Sequence, residues 1–240
     1  MLDCRIAAVL FAAAVFYAGF QAPAQTSAGG SAQSSTSPEI TFHFERPGMS
    51  VPEFTFVLRE DGSGTYSATV MQLSESRYSE PSGQPVPTTA FSTPFKLPPQ
   101  KSSKLFGAVR DAGYLQKDCA SKAKNIADTG TKTLTYKGPT ATGRCVYNYT
   151  TEKPVAALTT TFEGMSLTFE SGRRLAHDER YDRLGLDHEM NALVEALKDG
   201  RAEAPELIAP ELRALVADEQ VMQRVRRNAT ILLDKGSLEQ

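Results

Sequence analysis

Hydrophobic and polar positions alternate through much of the first 150 residues, then recur at helical spacing to the C-terminus. Ile40, Phe42 and Phe44 alternate with Thr41, His43 and Glu45, the period of a half-buried strand, and Pro47 and Gly48 end it. Phe54, Phe56 and Leu58 lead into Asp61-Gly62-Ser63-Gly64, and Tyr66, Ala68 and Val70 alternate beyond it, which predicts a hairpin. Residues 73–90, rich in Ser, Pro, Glu and Thr, read as a long exposed loop of the kind that often carries function, before a strand at 91–97. Pro98 and Pro99 precede Leu105, Phe106, Val109 and Ala112, whose spacing predicts a helix over 100–114. Two more strands fit 131–137, carrying Leu134 and Tyr136, and 144–150, carrying Cys145, Tyr147 and Tyr149.

From Pro154 the period changes. Val155, Leu158, Phe162, Met165, Phe169 and Ala176 fit a long amphipathic helix with Pro154 in its first turn. The threonines 159–161 and the alternation of Met165, Leu167 and Phe169 fit a strand as well, so 155–176 stays open between the two. Gly185 breaks the pattern. Asp187 reads as the N-cap of a helix bearing Met190, Leu193, Val194 and Leu197, closed by Gly200. Ile208, Leu212, Leu215 and Val216 line the next helix, and Asp218 caps a last one lined by Val221, Val225, Ala229 and Leu232. The expectation is an α+β protein. A hairpin-rich mixed or antiparallel sheet with one packed helix occupies 39–150, and a region of three to four helices occupies 151–240, packed on the sheet or beside it.

The N-terminus changes the picture from fold to address. Arg5 precedes an apolar run from Ile6 to Phe20, and Ala22-Pro23-Ala24 has the small-x-small pattern of a signal-peptidase site. Residues 1–24 therefore read as a signal peptide cut between Ala24 and Gln25, the run being shorter than the ~20 residues of a spanning helix. Cys4 leaves with it. Residues 25–38, almost all Ser, Gly, Gln, Ala and Thr, read as a flexible tether. The expected location is periplasmic or extracellular, with no stable membrane span after cleavage. There the remaining pair, Cys119 and Cys145, reads as a disulfide.

Charge steers little. The 26 basic and 28 acidic residues nearly balance, which gives no support for a nucleic-acid partner, and the absence of Trp excludes stacking platforms built on it. Arg224, Arg226 and Arg227 read as a solvated helix face.

Ile208-Ala209-Pro210, Leu212, Leu215, Asp218, Val225-Arg226 and Ala229 resemble one HEAT-type helical repeat over about thirty residues. That resemblance implies that Pro210 kinks the first helix, Asp218 caps the second and Arg226 bonds back to it, and it points to protein contact through the C-terminal helices. A single unit cannot form a solenoid, so it reads as a helical hairpin packed on something else. The mature chain also resembles uncharacterised exported bacterial α+β proteins, through Asp61-Gly62-Ser63-Gly64-Thr65-Tyr66 and the run Arg180-Tyr181-Asp182-Arg183-Leu184-Gly185-Leu186-Asp187. Those families imply a location and no activity.

Candidate chemistry is sparse. Asp128-Thr129-Gly130-Thr131 matches the short aspartic-protease signature, but no second copy exists and Lys122, Lys124 and Asn125 replace the apolar lead-in strand; a polar turn is expected. Ser121 and Lys124 have Ser-x-x-Lys spacing without its companion motifs. His177, Asp182 and His188 lie in a charged segment that could offer metal ligands, yet Gly185 separates the histidines and no His-Glu-x-x-His pattern appears. Asn148 and Asn228 head glycosylation sequons should the host be a eukaryote. No catalytic set, metal site or cofactor is expected. The chain reads as an exported, non-catalytic binding or structural protein of unknown partner; the alternative is a hydrolase working through Asp128 or the segment 177–189.

Overall fold

Alternation of large apolar and small polar residues puts one face of every strand in the core. A computed structural model describes residues 37–71 and 87–238. Among them, β1 (Glu39–Glu45), β2 (Glu53–Arg59), β3 (Ser63–Met71), β4 (Thr88–Lys96), β5 (Thr131–Lys137) and β6 (Thr142–Tyr147) form one antiparallel sheet. The order is β4-β3-β2-β1-β5-β6, so β1 lies inside, paired to β2 and β5. Its register sets Phe42 opposite Phe56 on one side and Leu134 on the other. Ile40, Phe42, Phe56, Leu58, Tyr66 and Leu134 are fully buried on the inner face. Thr41, Thr55, Ser67, Thr133 and Thr135 alternate with them on the outer face. The Asp61 to Gly64 turn is as expected: Asp61 Oδ1 accepts from the amide of Ser63 at 2.8 Å, and Gly62 takes φ +83°.

Two helices cover the inner face. α1 (Pro99–Asp111) buries Leu105, Phe106 and Val109. α2 (Lys153–Tyr181) is 29 residues long and resolves the choice left open at 155–176 in favour of helix. It presents Val155, Leu158, Phe162, Met165 and Phe169 to the core. Phe162 stacks on Phe42 with ring centroids 5.1 Å apart, and Phe169 on Tyr66 at 4.6 Å.

A second stripe of α2 is made of small residues, Gly164, Thr168 and Gly172, at i+4 steps. There the backbone after α3 (Gly185–Lys198) crosses closely. Thr168 Oγ1 donates to the Glu203 carbonyl at 2.6 Å, and the Glu203 amide donates to the Gly164 carbonyl at 3.2 Å. A Cβ on Gly172 would meet Ile208 Cβ at 3.0 Å. α4 (Ala209–Ala217) and α5 (Gln223–Leu238) complete the C-terminal part, with Leu212, Leu215, Val221, Val225, Ala229 and Leu232 buried as their spacing predicts.

Several boundaries move. The strand expected at 91–97 begins at Thr88, and the helix expected over 100–114 ends at Asp111, followed by a 3-10 turn at Gly113–Leu115. The strand expected to reach residue 150 stops at Tyr147, because Asn148 turns its amide group onto Thr129. Asp187 is not an N-cap: α3 starts at Gly185, and Asp187 bonds Arg224 and Asn191 instead. Asp218 does not cap α5, which starts at Gln223; its carboxylate accepts from the Gln220 amide and pairs with Arg183. Pro210 occupies the first turn of α4.

Cys119 and Cys145 are joined, their Cα atoms 5.8 Å apart, within the span a disulfide needs. The expected leader, its Ala24–Gln25 junction, the tether as far as residue 36 and most of the 73–90 loop lie outside the described residues. No described helix is long and apolar enough to cross a membrane.

Candidate functional site

A cavity of about 540 Å³ opens between the β1–β2 connection, the ends of β5 and β6, and the side of α2. Phe44 and Phe54 are buried in its wall, Val51 and Leu167 are half-buried, and Met49 and Tyr149 stand exposed at its rim. The polar part comes from α2, where Thr159, Glu163, Ser166, Glu170 and Arg174 follow one another at three- and four-residue steps and so share a stripe.

Lys132 closes the sheet side. It has the inward parity of Leu134 and Tyr136 on β5, and it is only 4% exposed. Its Nζ donates to the carbonyls of Thr129 at 2.9 Å, Asn148 at 3.1 Å and Gly130 at 3.2 Å, and to Thr129 Oγ1 at 3.0 Å. It also lies 5.4 Å from the Phe44 ring centre. Glu163 Oε1 is 3.7 Å away. Burial holds the ammonium below its ordinary pKa against the pull of Glu163, and burial lifts Glu163 above the usual carboxylate range.

Two hydroxyl pairs tie the sheet to α2. Tyr147 meets Thr159 at 2.6 Å and Tyr66 meets Ser166 at 2.9 Å. Desolvation pushes the Tyr147 phenol up to about 12, and desolvation together with the charge of Glu170 holds Tyr66 well above its ordinary value. Glu170 is 2% exposed; its Oε2 accepts from Arg173 at 3.0 Å, while Oε1 is sealed from solvent and has no hydrogen-bond partner among the described residues. Arg174 pairs with Glu189 at 3.6 Å.

Arg46 stands apart from this balance. Its amide is fixed by the Pro52 carbonyl at 2.8 Å, and the residue lines the cavity with no side-chain ion pair or hydrogen bond to any described residue. Among the described residues no histidine or cysteine lines the cavity; its buried Thr159 and Ser166 hydroxyls face phenols that stay protonated at neutral pH, and Thr150 Oγ1 accepts the Glu152 amide. The arrangement can hold a molecule between an apolar wall and a stripe of polar groups.

The residues singled out in the sequence fall elsewhere. Asp128 is exposed, and its Oδ1 accepts the Gly130 amide at 2.9 Å, making the turn into β5. Its neighbour Thr129 does reach the cavity, through Asn148, whose Oδ1 accepts the Thr129 amide at 2.7 Å and whose Nδ2 donates to Ala127 at 2.9 Å. Ser121 Oγ accepts the Ala123 amide, and Lys124 is exposed. His177 lies 3.3 Å from Asp178 and against the Tyr181 ring, Asp182 accepts the Gly185 amide, and His188 is exposed on α3. Among the described residues no three His, Cys, Asp or Glu side chains gather as a metal site. Sequence reasoning missed Arg46, Lys132, Glu163 and Glu170. For Lys132 a signal was present, since a lysine in phase with Leu134 and Tyr136 must face inward. Against known proteins, no family model matches the chain, and no curated protein is significantly similar to it.

Proposed function

We propose that this is an exported, non-catalytic binding protein that holds a small amphipathic molecule in the cavity between the end of its sheet and α2. The observation that carries this reading is a cavity of about 540 Å³ with Phe44, Val51, Phe54 and Leu167 in its wall and a few polar groups along one stripe. Ligand sites of small organic molecules have this size, roughly 300–1,000 Å³, and this division of labour between apolar area and few oriented polar groups. Export is supported by the Cys119–Cys145 bridge and by the leader pattern in the sequence.

The test is calorimetric titration of the mature chain with three octyl amphiphiles, octanoate, octanol and octylamine. At least one binds with saturable heat, and Leu167→Trp, which fills a half-buried wall position, abolishes that heat while leaving the melting transition cooperative. Absence of saturable binding for all three overturns the reading.

A further inference from the structure

We infer that the ligand carries a carboxylate and that Arg46 is the group that receives it. This rests on the cavity being a ligand site. The charged residues lining the cavity are Arg46, Lys132, Arg174, Glu163 and Glu170. Among the described residues, all but one have an ion-pair or hydrogen-bond partner, Glu170 through Oε2 alone. Lys132 spends its ammonium protons on three carbonyls and the Thr129 hydroxyl, Arg174 on Glu189, and Glu170 is held by Arg173. Glu163 sits beside Lys132. Among the described residues, Arg46 is the charged residue lining the cavity whose side chain has no ion pair or hydrogen bond.

Its position makes the imbalance local. Arg46 Cβ packs where a Cβ of Gly130 would stand, 3.0 Å away, and the Gly130 carbonyl is one of the acceptors that hold Lys132 Nζ, at 3.2 Å. The Arg46 and Lys132 charges oppose each other across this glycine, and Glu163, with Asp128 farther off, offsets them only in part. An anion placed against Arg46 relieves that repulsion, whereas an ammonium head adds a third positive charge. A guanidinium also offers paired N–H groups whose spacing matches a carboxylate, and the nearby Val51 and Phe54 give an attached chain an apolar wall. The class is an aliphatic or aromatic monocarboxylate.

The experiment compares the same three octyl probes on the full mature chain, then on Arg46→Gln and Arg46→Lys. Octanoate binds the natural chain about 10- to 100-fold tighter than octanol, the range of one charge-assisted hydrogen-bond pair. Arg46→Gln removes that margin, weakening octanoate far more than octanol, and Arg46→Lys retains part of it. The octanoate margin also shrinks with added salt. If octanol or octylamine binds as tightly as octanoate, or if Arg46→Gln weakens octanol and octanoate alike, the inference falls, while the cavity reading stands on the binding itself. If none of the three binds, the cavity reading has failed first.

Discussion

Tyr66 on β3 and Ser166 on α2, one hundred residues apart, share a buried hydrogen bond of 2.9 Å at the wall of the cavity. The Tyr66 phenol is fully buried, so removing Ser166 takes away a partner that bulk solvent does not replace. Ser166→Ala leaves a buried phenol without that partner and lowers unfolding free energy by about 1–3 kcal/mol. Tyr66→Phe does the same to the serine, at a smaller cost because the ring stack on Phe169 remains. The double variant loses less than the sum, a coupling of order 1 kcal/mol readable from urea denaturation of the four proteins.

The phenols also set an alkaline limit. Tyr147 is held up to about 12 by burial, against 10.0 for the free group. Between those values the unfolded chain has lost the phenolic proton and the folded chain keeps it, so stability falls as pH rises. For one such group the loss is about 2 kcal/mol by pH 12. Tyr147→Phe removes its share of that slope. Denaturation midpoints taken across the alkaline range test it, and equal slopes in both proteins would contradict the assignment.

Lys132 and Glu163 predict the acid side. Glu163 titrates above its unfolded value of 4.5 because burial disfavours its charge. In the window just above that value the folded state holds the extra proton, and stability declines as pH rises through it. Glu163→Gln flattens that decline in melting temperature in the window just above pH 4.5. Lys132→Met acts differently, since the carbonyls of Thr129, Gly130 and Asn148 lose their donor, and it costs about 2 kcal/mol across that range.

What the sequence made legible was whatever a two-residue or a helical period could carry. The Phe54–Leu58 and Tyr66–Val70 alternation gave β2 and β3, since one face had to be apolar and the turn residues between them admit few geometries. At 155–176 two periods competed. The helix forms because Leu158, Phe162, Met165 and Phe169 then meet the sheet together, and the Thr159 hydroxyl is absorbed by the Val155 carbonyl. The cavity was hidden for a different reason. Its walls come from residues 44–54, 129–150 and 156–174, and the stripe of Glu163, Ser166 and Glu170 exists only once that segment is helical. Asp128 and His177 drew notice by resembling motifs, yet a motif's chemistry needs convergence, and these side chains close local turns or face neighbours on the surface.

Gly172 tests the crossing that joins the C-terminal helices to α2. Alanine in a helix interior normally gains about 1 kcal/mol over glycine. Here the added Cβ would press on the fully buried Ile208, whose branched Cβ is already 3.0 Å away and cannot rotate aside. Overpacking of about 1–3 kcal/mol outweighs the propensity gain. Gly172→Ala is therefore destabilising, and pairing it with Ile208→Ala costs less than the two separate losses added together. Thermal melts of the three variants decide it; a stabilised Gly172→Ala would show that the crossing is looser than described.

The Cys119–Cys145 bridge ties the chain after α1 to β6, 26 residues further along. On the chain-entropy account, closing a loop of that length in the unfolded chain stabilises the fold by about 3 kcal/mol. Cys145 is buried in the core at 3% exposure, so a small apolar replacement suits the site better than serine. The double variant Cys119→Ala, Cys145→Ala lowers unfolding free energy by that amount and leaves the sheet intact by circular dichroism. Thiol labelling of the denatured, unreduced mature chain returns no reactive cysteine, and two appear after reduction. Labelling of both before reduction would show that the two sulfurs are not joined.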